Sequence, residues 1–261
     1  MAGQAPRPAW AAVHEAAVAL VEVAGARGHL LRLVGSTGIR LHCQPAAAAL
    51  DRLGRPAKDI DVVCRHEDRK GLRRLLEERG WEVDRDLLVA MEGRRFSFRH
   101  PASGLELDVF VDRLEFCHTI ELRDRLGARE LTVPVEDLLL QKLQIVRQTV
   151  TDRMDAAALL ATHPVAPGPG AGGPAGEAID AGYVAGLLAR DWGFHHTASA
   201  NLAALRDRPA TNGTGAVVAA RIDGLLAAIR DAPKSVRWRA RARVGERMQW
   251  WQDVDDREAV Y

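Results

Sequence analysis

The stretch that decides the fold is "RPAKDIDVVCR", residues 55–65, in which Asp59 and Asp61 flank Ile60 and lead into the apolar "VVC". A short apolar run of this kind is typical of a buried strand, whereas a carboxylate is costly to bury unless it is paired or binds a metal. Side chains at positions i and i+2 of a strand share one face of the sheet. The sequence therefore predicts that both carboxylates lie on one face and Ile60 on the other.

A second acidic strand is predicted in "GLELDVFVD", residues 104–112, with Asp108 at its centre. Close carboxylates raise each other's pKa unless a cation lies between them, and Mg²⁺ prefers such oxygen ligands. If the two strands are neighbours, Asp108 joins Asp59 and Asp61, and three carboxylates can hold two metal ions about 3.5–4 Å apart. The alternative is that Asp59 ends a turn, Asp61 caps a strand and Asp108 pairs with a nearby arginine.

A glycine turn precedes these strands in "LVGSTGIRL", residues 33–41. A strand at 29–34 is predicted to run into Gly35 and Ser36, followed by a short helix. Gly35 permits a sharp bend and the close approach of a ligand. The N–H groups of the helix N-terminus, together with the Ser36 hydroxyl, are suited to bind a phosphate.

Lys142 falls inside the apolar arc of a helix predicted at 135–148. A lysine on a buried face needs a partner or a route to solvent. Two interpretations stay open: a nucleotide phosphate is the partner, or the ammonium group reaches water beyond a packed stem. In the next helix, Asp152 suits the positive end of the helix dipole and Asp155 suits a salt bridge.

The wider pattern predicts an α+β fold, in which a small mixed β-sheet flanked by helices is followed by a helical C-terminal region. We predict a catalytic domain at 1–163, a flexible Pro/Gly linker at 164–178 and a helical domain at 179–261. Strands are expected at 29–34, 59–64, 81–90, 94–100, 105–112, 116–122 and 130–135. Helices are expected at 9–27, 36–44, 66–80, 135–148, 151–163, 179–191, 196–207, 215–230 and 234–253.

Composition places the chain among ordinary globular proteins, with 47% apolar and 27% charged residues and a net charge of +1. This balance gives no global attraction to nucleic acid or membrane. The three cysteines lie far apart without metal-ligand spacing, which favours a reducing compartment. No signal peptide or membrane-spanning run is recognisable, so we expect a cytoplasmic protein without a membrane partner.

Taken together, four stretches resemble the nucleotidyltransferase superfamily with the polymerase β-like core, and within it the AbiEii-type nucleotidyltransferases, which include toxins of toxin–antitoxin systems. They are "VGSTGIRLH" (34–42), "RPAKDIDVV" (55–63), "LELDVFV" (105–111) and "VPVEDLLLQKLQI…RQTVTDRMDAAALL" (133–160). The likeness covers roughly residues 29–160. Two departures are Ala57, where members often carry Ser or Thr, and the long spacing from Gly35 to Asp59, attributed to an insertion at "AAAALDRLGRP".

The resemblance implies an enzyme that moves a nucleoside monophosphate from an NTP such as ATP to a hydroxyl acceptor. It implies that Asp59, Asp61 and Asp108 hold Mg²⁺, with two ions expected when NTP is bound, and that Asp108 orients or deprotonates the acceptor. The residues implied to contact the nucleotide are Gly35, Ser36, Lys142 and either Asp152 or Asp155. An antitoxin protein is an expected partner.

The acceptor is less defined, and an RNA 3′ end such as that of tRNA is preferred over a small molecule of the aminoglycoside kind or a protein side chain. The segment "KSVRWRARARVGER", residues 234–247, carries six basic residues and one acid, with Trp238 inside it and Trp250 and Trp251 beyond. Arginines interleaved with aromatic residues suit RNA. The alternative is an ordinary helix with solvated arginines and packed tryptophans. A non-catalytic nucleotide- or RNA-binding member of the fold is the remaining alternative.

Overall fold

The computed structural model describes residues 10–43, 59–168, 177–207 and 214–253. Contacts divide the chain into two compact units, the first comprising Met1–Leu114 and Glu121–Pro134 and the second Glu115–Ile120 and Val135–Tyr261. This division falls before the predicted boundary at residue 163, because the helices that follow Pro134 pack with the C-terminal helices. The assignment of a catalytic domain to 1–163 stays a prediction.

The first unit alternates helices and strands around one sheet. Its elements are α1 (Trp10–Ala26), β1 (Leu31–Val34), α2 (Gly35–His42), β2 (Asp59–Cys64), α3 (Arg69–Glu78), β3 (Glu82–Val83), α4 (Arg85–Ala90), β4 (Arg95–His100) and β5 (Leu105–Val111). Along the chain, the short strands β6 (Arg113–Glu115) and β7 (Thr119–Glu121) come next, with Glu115–Ile120 counted in the second unit. A 3₁₀ turn at Arg123–Arg125 in the first unit follows.

The five strands of the main sheet lie in the order β1-β2-β5-β4-β3. β2 and β5 are parallel, whereas the other neighbours are antiparallel. One face of the sheet is apolar, because Leu33, Ile60 and Leu107 belong to a buried core that also includes residues of α1 and α3. The structure thus confirms the predicted mixed sheet flanked by helices.

Two predicted strands of this unit are wrong. Within 81–90, only Glu82–Val83 is extended, because the Asp84 side chain accepts a hydrogen bond from the Leu87 N–H and so begins α4. Within 130–135, a single parallel bridge joins Thr132 to Leu33. Pro134 has no N–H with which to extend that pairing.

The second unit is mainly helical. Its elements are α5 (Val135–Leu143), α6 (Val150–Thr162), β8 (Val165–Ala166), β9 (Ile179–Asp180), α7 (Ala181–Leu188), α8 (Trp192–Asp207), α9 (Gly215–Asp231) and α10 (Val236–Val244). α9 contacts α6, α7 and α8, and α5 contacts α6, α7 and α8. None of the described helices has the length and apolar character needed to cross a membrane.

Several boundaries in the second unit differ from those predicted. The helix predicted at 135–148 ends at Leu143, α8 begins four residues before 196, and the helix predicted at 234–253 ends at Val244, where Gly245 has φ +58°. The predicted linker at 164–178 includes β8, which pairs in parallel with β9 directly after the linker. Residues 169–176 of that linker, the proposed insertion "AAAALDRLGRP" and Ala57 lie outside the described residues.

Candidate metal centre

The carboxylates of Asp59, Asp61 and Asp108 converge on the polar face of the main sheet. In the parallel pairing of β2 with β5, Asp61 lies opposite Asp108. One oxygen can be chosen from each carboxylate so that the three lie within 4.8 Å of one another, and all three residues are half-buried. The structure confirms the condition set in the sequence analysis, because the two acidic strands are neighbours.

Strand alternation explains why these acids avoid the apolar core. Ile60 lies opposite Leu107 in the same register, and both side chains are fully buried on the other face. The local pattern D-I-D therefore assigns one residue to the core and two to the site. Three like charges at this spacing repel each other in a poorly solvated position, so the arrangement favours a bound cation.

An arginine that sequence reasoning did not single out contacts the triad. Arg95 on β4 donates a hydrogen bond from Nη2 to Asp108 Oδ2 at 2.9 Å. The expected alternative, an arginine paired with Asp108, is therefore present together with the convergence of the carboxylates. Arg95 could have been found once β4 was paired with β5, because Arg95 lies opposite Phe110 and so shares the face of Asp108.

The other oxygen of Asp108 supports a metal at this position. Oδ1 is buried and has no hydrogen-bond partner among the described residues. A buried carboxylate oxygen without a partner is costly, and a divalent cation would satisfy it. Oxygen ligands from several carboxylates suit Mg²⁺, so the residues present fit the expected ion.

Gly35 lies directly against the triad. Its φ is +61°, and a Cβ at this position would stand 2.0 Å from Asp61 Oδ2. The N-terminus of α2 therefore starts beside the carboxylates, and its N-cap residue Val34 offers no side-chain hydrogen bond. Ser36 is buried in the first turn of this helix. The phosphate-binding role of Gly35 and Ser36 stays a prediction.

Lys142, Asp152 and Asp155 form an ion-pair cluster within the second unit. Lys142 Nζ lies 3.1 Å from Asp152 Oδ1 and 3.1 Å from Asp155 Oδ2. Asp155 is fully buried, so the lysine has partners inside the protein. The cluster joins α5 to α6, and the role of its members in binding a nucleotide stays a prediction.

Asp152 also closes the N-terminus of α6. Its side chain and that of Thr149 form a capping box. Burial raises the pKa of Asp152, but the charge of Lys142 and the hydrogen bonds from Thr149 outweigh it and hold that pKa below its ordinary value. The negative charge at the first turn agrees with the expected interaction with the helix dipole.

The basic C-terminal segment separates into packed tryptophans and exposed arginines. Trp238 contacts the ring of His195, and Trp250 contacts Trp192 and donates from Nε1 to Thr197 Oγ1. The arginines exposed on or just after α10 are Arg237, Arg239, Arg243 and Arg247. The tryptophans therefore serve internal packing, whereas these arginines face solvent.

Comparison with known proteins adds little to this picture. No protein-family model and no curated protein matches the chain. Among solved structures, the chain is similar to an antigenic nucleotidyltransferase-like protein from Paracoccidioides brasiliensis, with a TM-score of 0.42 and 13% identity over 86% of this chain and 95% of that chain. A likeness this distant carries no argument about function, which therefore rests on the site itself.

Proposed function

We propose that the protein is a Mg²⁺-dependent nucleotidyltransferase that moves a nucleoside monophosphate from an NTP to a hydroxyl acceptor. The observation that carries the proposal is the convergence of Asp59, Asp61 and Asp108 beside Gly35 at the start of α2. Carboxylates repel a triphosphate unless cations lie between them. An acidic cluster next to the N-terminus of a helix therefore suits a substrate that brings both phosphate and metal.

Each residue has a chemical role in this proposal. Mg²⁺ held by the carboxylates would offset the charge of the triphosphate and of the leaving pyrophosphate. The N–H groups at the start of α2 would bind phosphate oxygens, and the missing side chain of Gly35 leaves space for them. Asp108 would orient the acceptor hydroxyl and take its proton as the oxygen attacks the α-phosphorus. The bond from that phosphorus to pyrophosphate breaks.

The position of the label in the NTP tests the reaction type. The protein is incubated with Mg²⁺, total RNA or cell extract, and an NTP that carries its label on the α-phosphate. We expect the label to be transferred to a component of the RNA or extract. NTP labelled at the γ-phosphate should label nothing, because that phosphate leaves in pyrophosphate. Transfer of the γ label would indicate a kinase, and transfer of neither label in any extract would contradict the proposal.

We propose RNA as the acceptor, supported by the exposed arginines of α10. Arg239 and Arg243 are four residues apart on one side of the helix, and both are exposed. Like charges at this spacing destabilise a helix slightly. A phosphate backbone would relieve that repulsion and release counterions.

Reversing both charges is expected to weaken RNA binding. For R239E/R243E we expect at least about a tenfold loss of affinity for labelled bulk tRNA. The slope of the logarithm of affinity against the logarithm of salt concentration should become shallower by about two, because about two fewer counterions are released. The matched control reverses Arg79 and Arg85, which are exposed in the first unit, and should leave binding within about twofold. Equal losses of affinity in both double variants would show that the effect comes from the net charge of the protein and not from these two positions, and would contradict the proposal.

A second candidate function is a protein that binds nucleotide without transferring it. The observation in its favour is the Arg95–Asp108 ion pair, which occupies one carboxylate oxygen. Calorimetry that shows tight NTP binding, with no labelled product in any extract, would favour this candidate over the enzyme.

A further inference from the structure

We infer that Arg95 is a built-in counter-charge of the metal centre, which holds Asp108 in the absence of metal and competes with a divalent cation for it. The inference rests on the proposed metal centre but not on nucleotide transfer. It follows from three features of the site: the ion pair itself, the Asp108 oxygen that has no hydrogen-bond partner among the described residues, and the packing of Phe110 against Arg95.

The ion pair is close and poorly solvated. Arg95 Nη2 lies 2.9 Å from Asp108 Oδ2, and the two side chains are only 18% and 17% exposed. Water therefore screens the pair less than it screens an ion pair on an open surface. The positive guanidinium of Arg95 therefore contacts a carboxylate, that of Asp108, which also belongs to the acidic triad.

Arg95 engages only part of the Asp108 carboxylate. The buried Oδ1 has no hydrogen-bond partner among the described residues. Had Arg95 been a purely structural partner, a two-pronged contact with both oxygens would have satisfied the carboxylate better. The observed contact leaves one oxygen for a second cation, whose charge would repel the guanidinium.

Phe110 holds the guanidinium near the triad. The Phe110 ring centroid lies 5.0 Å from the central carbon of the Arg95 guanidinium. Phe110 is two residues after Asp108 on β5 and lies opposite Arg95 in the sheet. The ring favours the cation over its face, so Arg95 stays beside Asp108 and its charge acts on any ion bound there.

The test measures metal affinity without nucleotide. Mn²⁺ serves as the probe, and free Mn²⁺ is followed by electron paramagnetic resonance in the full-length protein. Arg95→Gln removes the charge and keeps an N–H donor, so we expect about tenfold tighter Mn²⁺ binding than in wild type. Arg95→Lys keeps the charge, and its affinity should lie within about threefold of wild type.

Arg99→Gln is the matched control, because Arg99 is on the same strand and shares the sheet face of Arg95, but is exposed and lies opposite Glu106. We expect less than a twofold change. Unchanged or weaker Mn²⁺ binding in Arg95→Gln would overturn the inference, and so would equal tightening in the control. An absence of Mn²⁺ binding in both wild type and Arg95→Gln would overturn it as well.

Thermal unfolding provides a second measurement if Arg95→Gln is unstable. Loss of the counter-charge should lower the melting temperature of the metal-free variant, and saturating Mn²⁺ should restore more of it than in Arg99→Gln. A variant that stays unfolded with saturating Mn²⁺ would count against the inference. Failure of nucleotide transfer, by contrast, would leave these metal-binding results intact.

Discussion

Asp61→Asn is expected to reduce nucleotide transfer by about a thousandfold or more. Asp61 lies between Val34 on β1 and Asp108 on β5, so its carboxylate is central among the three acids. Asparagine keeps the shape but removes the charge that would hold Mg²⁺, and metal stabilisation of transition-state charge supplies several kcal/mol. Transfer of the α label, measured under single-turnover conditions, checks the loss.

The same variant should fold at least as well as wild type without divalent ions. Removing one of three repelling carboxylates relieves like-charge repulsion, so we expect an unchanged or higher melting temperature in chelator. Glu106→Gln is the matched control, because Glu106 shares this sheet face and lies opposite Asp59 but is exposed. Activity of Asp61→Asn near that of the control would exclude the triad from catalysis.

Gly35→Ala is expected to damage both the metal centre and the fold. Two costs add at this position, because φ is +61° and the new Cβ would meet Asp61 Oδ2 at 2.0 Å. The left-handed backbone costs about 1–2 kcal/mol for a residue with a side chain. The clash must also displace Asp61 or the start of α2. We therefore expect destabilisation of about 2–4 kcal/mol and at least a tenfold loss of Mn²⁺ affinity.

Gly93→Ala separates the two costs. Gly93 has φ +70°, but a Cβ there would meet nothing within 4 Å. Gly93→Ala should therefore lose only the stability that a left-handed backbone costs a residue with a side chain, about 1–2 kcal/mol, and keep wild-type Mn²⁺ affinity. Denaturant unfolding and Mn²⁺ titration of both variants are the measurements. Equal stability losses, with unchanged metal affinity in Gly35→Ala, would show that Asp61 moves aside freely and that the close approach has no function.

The sequence predicted the sheet and the triad because period-two alternation is a local property. The sheet faces of Asp59, Ile60 and Asp61 follow from the alternation of side chains along one strand, whichever strand pairs with it. The prediction that β2 and β5 are adjacent strands needed one further assumption, that the acids of the two strands lie close together. The observed register confirms that adjacency. The roles of these acids in catalysis stay predictions.

Features that depend on tertiary partners could not be predicted in the same way. Nothing local in "GRRFSFRH", residues 93–100, distinguishes Arg95 from Arg94 or Arg99, because only the pairing of β4 with β5 places Arg95 beside Asp108. Likewise, a helix wheel places Lys142 on a buried face but does not reveal its partners. In the structure those partners come from the following helix.

The parallel register of β2 with β5 also makes the acidic cluster a check on correct folding. A slip of one residue between these strands would exchange the faces, so that Ile60 would stand opposite Asp108 and a carboxylate would enter the apolar core. A sheet paired in that way could not assemble the three ligands. The number of divalent ions bound per molecule therefore reports the fraction of molecules with native strand alignment, whereas far-ultraviolet spectra of the same sample would not distinguish the two alignments.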